Sequence, residues 1–197
     1  LLLAKQLLTD SRLSVASVAL ASGFQSLRRF NVALKERYRM TPTELRRSHK
    51  NKAAEYSSEF SFRLSYRPPF DWKRLLEFLS RRAMPQVEAV EDGAYFRTVQ
   101  LTRQNRDYTG FIEVRHDIGE QMLSVRLSDS LVPVCAVVLE RVRRLFDLQA
   151  DPATIAKALG RLVKNRPGLR VPGSFDGFEM TVRAILGQQI SVVGART

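Results

Sequence analysis

The chain has 197 residues, with 32 Lys and Arg against 20 Asp and Glu and a formal charge of +12. Hydrophobic residues make up 44% and charged residues 26%, an ordinary globular composition that excludes a wholly disordered or collagen-like chain, and no run of about 18 apolar residues offers a membrane-spanning helix. The single cysteine, Cys135, excludes an internal disulfide, and with only His49 and His116 beside it a structural zinc site would need carboxylates. A reducing, intracellular compartment is the simplest reading of that cysteine usage. The charge is uneven: residues 1–54 carry +8, residues 55–130 carry −1 and residues 131–197 carry +5. A field of one sign attracts a polyanion, so nucleic acid is the leading partner class and an acidic membrane surface the second.

The first residue is Leu rather than Met, and Leu1, Leu2, Leu3, Leu7 and Leu8 read as the back half of an amphipathic helix, not a signal peptide; the chain is expected to be a fragment at this end. Ser14 caps a helix with Val15, Val18, Ala19 and Ala16 on its apolar side, and Gly23 supplies the positive φ of a tight turn. A second helix follows from about Ser26. Leu27, Phe30 and Leu34 form its buried stripe with Ala33 beside them, and Arg28, Asn31 and Lys35, flanked by Arg29, form its polar face. A bracing helix, a short turn and a helix with one apolar and one basic face are what a helix-turn-helix requires. Thr41-Pro42-Thr43-Glu44 then starts a short helix ending in Arg46-Arg47, whose charges suit the negative end of its dipole. Arg28, Arg29 and Lys35 read as a DNA-facing set or as a solvated helix face; Asn31 reads as an adenine ligand or as a hydrated side chain.

The strings A-x-x-A-S-G-F, S-x-x-R-F and M-T-P-T-E-L-R-R together resemble the last part of the AraC-type double helix-turn-helix domain, its second unit, over roughly residues 1–47. The resemblance implies sequence-specific binding of double-stranded operator DNA, with RNA polymerase as a further candidate partner. The helix string SLRRFN departs from the Ser/His-rich pattern of that family and leaves the operator open.

Ser48–Glu55 is polar and aperiodic, and a linker is expected over 51–57. Phe60–Tyr66 alternates strictly and reads as a strand with Phe60, Phe62, Leu64 and Tyr66 on one face. Asp71 caps a helix with Trp72, Leu75, Leu76 and Leu79 at helical spacing and Phe78 beside the stripe, up to Pro85. Ala94–Leu101, Gly110–Val114 and Met122–Leu127 are further strand candidates, making an α+β unit. The strings L-S-Y-R-P-P-F-D-W and L-L-E-F-L-x-x-R-A resemble the opening of the N-terminal domain of AlkA-type alkylated-base DNA glycosylases, in which a position matching Phe78 lies near the base pocket. Core packing is the alternative for Phe78.

Pro133, Val134, Val137, Val138, Val142 and Leu145 mark one helix; Asp151-Pro152 caps another with Ile155, Ala156 and Leu159, up to Gly160. Arg166–Gly173 is a Pro/Gly-rich loop carrying two arginines. Asp176-Gly177-Phe178-Glu179 is a capping box for a helix with Phe178, Val182, Ile185 and Leu186 inside, broken at Gly187. The string F-E-x-x-V-R-A-I-L-G-Q-Q-I-S resembles the start of the helix-hairpin-helix glycosylase domain. The resemblance implies that Gln189 enters the minor groove where an extruded base has been and that Gln188 borders the base pocket, the geometry an enzyme needs when it must flip its target out of the stack. Without the resemblance, Gln188-Gln189 at a helix break reads as a cap for orphan carbonyls.

These readings predict a multidomain chain, mainly α plus α+β: a helix-turn-helix over 1–50, a small antiparallel-sheet α+β domain over 58–130, and from 131 the start of a truncated all-α helix-hairpin-helix glycosylase domain. Glu91-Asp92 and Asp117 with Glu120 read as surface acids, and no P-loop, G-x-S-x-G or H-E-x-x-H pattern occurs. The resemblance implies a regulator fused to a DNA-3-methyladenine glycosylase II that hydrolyses the N-glycosidic bond of alkylated bases, with its catalytic Asp beyond Thr197 and the fragment inactive alone. It implies no metal or cofactor within these residues, zinc only in an Ada-like module upstream, a monomer acting on alkylated duplex DNA without a membrane, and a cytoplasmic, nucleoid-associated place. An AraC-type regulator without glycosylase activity, sensing or only binding DNA, is the competing reading.

Overall fold

A computed structural model describes residues 1–10, 13–48 and 60–188. Four helices come first, α1 (Leu2–Asp10), α2 (Val15–Ala21), α3 (Leu27–Tyr38) and α4 (Pro42–Ser48); then β1 (Phe60–Ser65), α5 (Trp72–Ser80), β2 (Glu88–Glu91), β3 (Ala94–Arg103), β4 (Arg106–Asp117) and β5 (Met122–Leu127); then α6 (Cys135–Leu145), α7 (Pro152–Leu159) and α8 (Gly177–Leu186). Packing divides the chain into two units, one of Leu1–Phe60, Gln100–Gly110 and Leu127–Val138, the other of Ser61–Val99, Phe111–Arg126 and Leu139–Thr197. This partition follows contacts, whereas the divisions 1–50, 58–130 and 131–197 are expectations from motifs and resemblance; the linker expected over 51–57 lies outside the described residues.

In the first unit α1 packs on α2 and α4, and α2 packs on α3 and on a 3-10 segment, Asp129–Val134. Ser14 Oγ accepts from the Ser17 N–H at 3.0 Å and starts α2. Gly23 has φ +87° with nothing within 4 Å of where a Cβ would stand, so its conformation, not lack of space, calls for glycine. The core collects Ala4, Leu7, Leu8, Val18, Ala19, Ala21, Phe30, Leu34 and Leu45, with the Phe24 and Phe30 rings edge to face at 5.2 Å. Ala16 is exposed. Leu27, expected in the buried stripe, is 45% exposed; it opens the helix, and a side chain leaning toward the N-terminus there has no preceding turn to cover. Arg46 does more than face a dipole: it donates to the carbonyls of Leu8 and Leu13, tying α4 to the end of α1.

The sheet has the order β1-β5-β4-β3-β2. Phe62 and Leu64 of β1 and Leu123, Val125 and Leu127 of β5 are buried as alternation requires. Two strands exceed what hydrophobicity indicates. β2 is only four residues long and pairs antiparallel with β3, Glu88 opposite Arg97, across a turn in which Asp92 and Gly93 both have positive φ; the Asp-Gly pair is the sequence signal for that hairpin. β4 begins at Arg106 rather than Gly110 because Gln104 and Asn105 make a second such turn without glycine.

Asp71 Oδ1 accepts from the Arg74 N–H at 3.2 Å and opens α5, which packs on β2 and buries Leu75, Leu76 and Leu79. Trp72 donates from Nε1 to the Gly93 carbonyl at 3.0 Å, and its ring meets Phe146, which meets Tyr95 edge-on. The Pro68-Pro69 bond is cis. Arg170, 4% exposed, lies over the Phe70 ring and donates to the carbonyls of Arg67, Pro69 and Ala150. Gly168 comes so close that a Cβ would stand 2.7 Å from the Phe70 nitrogen.

The helix expected across 133–145 is two pieces. Pro133 lies in the 3-10 segment, has no N–H to give, and α6 starts at Cys135. Val137 is 40% exposed, while Val138, Val142 and Leu145 are buried. The Cys135 thiol is buried and pushed up to about 12 by that burial. α7 starts from its Asp151 cap, yet Ile155 and Leu159 are 38% and 46% exposed. α8 overturns its expected orientation more fully, as the site shows.

Candidate nucleic-acid interface

The first site is the outer face of α3. Ser26 caps the helix, its Oγ 3.5 Å from the Arg29 nitrogen, and Phe30 and Leu34, both fully buried, fix which side faces inward. Arg28, Arg29, Asn31 and Lys35 are therefore all exposed on one element. Beyond Tyr38, Arg39 takes a left-handed φ of 57°. The reciprocal cap of α4 then forms as its sequence indicates: the Thr41 N–H donates to Glu44 Oε2 at 2.7 Å and the Glu44 N–H to Thr41 Oγ1 at 3.3 Å. The bond from the Thr41 backbone, followed by that from its hydroxyl, holds the Glu44 carboxyl below its ordinary value.

The second site lies beside α5 and α8. Phe78 is 39% exposed and is not a core residue; the Arg82 guanidinium lies 3.8 Å from its ring centroid. Phe78 and Arg82 line a cavity of about 330 Å³ with Met84, Phe175, Met180 and Gly187. Gln188 follows as an exposed residue whose N–H donates to the Ile185 carbonyl at 3.3 Å, while Gln189 lies outside the described residues. The structure thus brings Phe78 to a cavity wall and leaves Gln188 off that wall.

A charged network lines the cavity. Glu88 accepts from the Tyr95 hydroxyl at 2.7 Å, from Arg97 Nη1 at 2.7 Å, from Arg183 Nη2 at 2.9 Å and from the Met84 N–H at 3.3 Å. Arg97 also donates to Glu179, which pairs with Arg183. The Glu88 and Arg97 side chains are 7% and 5% exposed. Burial alone would raise the Glu88 carboxyl, but the bonds from Arg183 and Tyr95 and the charge of Arg97 more than offset it and leave it below its ordinary value. Burial, then the Glu88 charge, pushes the Tyr95 phenol up. Asp176 accepts from the Glu179 N–H at 3.1 Å and from Arg141 at 2.9 Å.

This network corrects two expectations. Glu179 begins α8 as a capped residue, but its carboxylate is engaged by Arg97 and Arg183. Phe178, Val182, Ile185 and Leu186, expected inside, are 80%, 38%, 62% and 50% exposed; the charged face of α8 turns inward because its partners are the buried Glu88 and Arg97. The spacing of Glu179 and Arg183, four apart, was the visible signal. Glu91, Asp92, Asp117 and Glu120 are exposed as expected. Among the described residues no three His, Cys, Asp or Glu side chains are grouped to hold a metal, and no helix is long and apolar enough to cross a membrane.

Comparisons with known proteins match the chain in two stretches. The AlkA N-terminal domain family model matches residues 61–176, and a helix-turn-helix domain model matches residues 1–48. The chain is similar to DNA-3-methyladenine glycosylase 2 of Escherichia coli strain K12, 45% identical over 134 residues, covering 68% of this chain and 46% of that protein. It is also similar to the Mycobacterium tuberculosis protein named Probable bifunctional transcriptional activator/DNA repair enzyme AlkA, 34% identical over 203 residues, covering 98% of this chain and 40% of that one. The chain therefore spans less than half the length of these curated relatives. A 3-methyladenine DNA-glycosylase from Archaeoglobus fulgidus shares the fold, with TM-score 0.55, 21% identity, and coverage of 68% of this chain and 47% of that one.

Proposed function

The chain belongs to the AlkA N-terminal domain family, and from that premise we propose that it is part of a DNA-binding regulator fused to a glycosylase that removes alkylated bases from duplex DNA. The observation that carries the reading is continuity: one chain matches a helix-turn-helix over 1–48 and an AlkA N-terminal domain over 61–176, the same order as in a relative named for both activities that aligns across 98% of it.

In this reading α3 lies in a major groove, with Arg28, Arg29 and Lys35 neutralising phosphates and Asn31 on the flank. Residues from 131 onward begin the helix-hairpin-helix domain. A base in the duplex must be extruded before its glycosidic bond can be reached, at a cost of roughly a few kcal/mol; Gln189 fills the space it leaves, Phe78 offers a face for it, and Gln188 stands next to Gly187 of the cavity wall rather than on it. The half-exposed Phe78 ring on the cavity wall supports this role. A cationic alkylated base is already a good leaving group, so the reaction chiefly needs an aspartate to stabilise the oxocarbenium-like charge and orient water. That aspartate is placed beyond residue 197, and residues 1–197 alone are expected to release no base.

The test is release of 3-methyladenine from methylated duplex DNA, measured for the 197-residue chain and for the gene product that continues it. Release by the longer protein only is expected. Release by the 197-residue chain would overturn the placement of the aspartate, and a longer protein that binds DNA but releases nothing would leave a regulator without glycosylase activity.

A further inference from the structure

The outer face of α3 has an apolar centre. At about 100° of rotation per residue, the direction opposite the buried Phe30 and Leu34 is that of Val32, with Arg28 and Glu36 about 40° to either side and Arg29 and Lys35 about 60° away. Asn31 falls on the flank, nearer Leu34. Val32 is 51% exposed and shares an open concavity of about 550 Å³ with Phe24, Arg28, Arg29, Ala33 and Glu36.

Phosphates suit the rim of this face and not its centre. Arg28, Arg29 and Lys35 attract them; Val32 has no hydrogen to donate, and the Glu36 carboxylate repels them. A cationic rim around a centre that excludes phosphate fits a duplex groove, where backbones run along the edges and base edges form the floor. In the major groove the apolar feature of that floor is the thymine C5-methyl group. We propose that Val32 reads a thymine methyl, making it a specificity-determining residue for a T·A pair in the operator. It can do so only if α3 enters DNA as proposed above, and on that reading the inference rests.

Selection of tight binders from randomised duplexes by the 197-residue chain is expected to return a thymine at one fixed position. Replacing it by deoxyuridine removes the methyl group alone, and Val32→Ala removes the two γ-methyls that meet it. Each change is expected to weaken binding about five-fold, near the transfer value of a methylene, and the two together by less than ten-fold, because they delete one contact from opposite sides. Val32→Thr, which keeps one methyl, should retain the thymine preference. An unchanged melting profile for Val32→Ala separates lost recognition from lost fold, as expected for an exposed position. A deoxyuridine duplex bound as tightly as its thymine parent, or an additive loss of about 25-fold, would overturn the inference while leaving salt-dependent DNA binding in place. No affinity for any duplex would overturn the DNA-binding reading and the role of Val32 with it.

Discussion

α3 and α8 are both amphipathic, and they turn opposite faces outward. In α3 the apolar side is inside, with Phe30 and Leu34 fully buried, and the cations are free to meet a partner. In α8 the charged side is inside, Glu179 and Arg183 pairing with Arg97 and Glu88, while Phe178 is 80% exposed. The neighbouring surfaces account for the difference. Glu88 and Arg97 are nearly buried, and leaving a buried charge without its partner costs about 3–5 kcal/mol. Beside two such charges α8 turns Glu179 and Arg183 toward them and leaves Phe178, Val182, Ile185 and Leu186 outward. Amphipathicity therefore shows that a helix has two faces, and the charges on its neighbours decide which goes in.

The comparison breaks most visibly at Phe30. Phe30→Ala removes the ring against Phe24 and leaves a cavity at a fully buried position, and should cost about 4 kcal/mol; Leu27→Ala, at a 45% exposed position, should cost under about 1 kcal/mol. Urea unfolding of the two variants measures this ratio, and equal losses would mean that α3 is not oriented by Phe30.

Glu88→Gln is next. It keeps the shape but takes the charge from a site where Arg97 and Arg183 converge, and should lower stability by about 3 kcal/mol. Its pH dependence has a definite sign. The Glu88 carboxyl is held below 4.5 in the folded chain, so the unfolded chain binds its proton first as acid is added. The stabilisation is full above pH 4.5 and is lost as pH falls from 4.5 through the folded value. The stability gap between parent and Glu88→Gln, measured by denaturant titration across pH 3–7, should narrow below about pH 4.5; a constant gap would show that the charge of Glu88 is not what holds α8.

The elements fixed by local chemistry were legible in the sequence. The caps at Ser14, Thr41, Asp71, Asp151 and Asp176, the positive φ of Gly23 and the alternation in β1 and β5 depend on residues a few positions apart, and each is present. Beyond the Glu179–Arg183 spacing the buried network was not legible, because Glu88 and Arg97 meet through the β2–β3 hairpin and Glu179 reaches Arg97 from a distant helix, α8. The same holds for Arg170 and Arg46, whose acceptors are backbone carbonyls that no sequence pattern marks. Of the site residues, exposure of Arg28, Arg29, Asn31 and Lys35 followed from the stripe of α3, while Phe78 could be told from a core residue only once its 39% exposure was known.

On the outward side of α3, Arg28→Ala together with Lys35→Ala should leave folding unchanged, since both are exposed, and weaken duplex binding. If each neutralises one phosphate, the slope of log K against log salt should fall by about 2. Binding measured between roughly 50 and 200 mM salt checks this, and an unchanged slope would return these cations to a merely solvated face.

The smallest effect is expected on the outward side of α8. Phe178→Ser exchanges an 80% exposed ring for a small polar group at the second position of the helix, and leaves Asp176, Glu179 and Arg183 and their bonds to Arg141, Arg97 and Glu88 untouched. Stability of the 197-residue chain should change by no more than about 0.5 kcal/mol, against about 3 kcal/mol for Glu88→Gln on the opposite side of the contact. Paired measurement in the same denaturant series makes the ratio informative even if both absolute values shift with conditions. A loss for Phe178→Ser near that of Glu88→Gln would mean that the ring is covered and that apolar burial orients α8 after all, as it does α3.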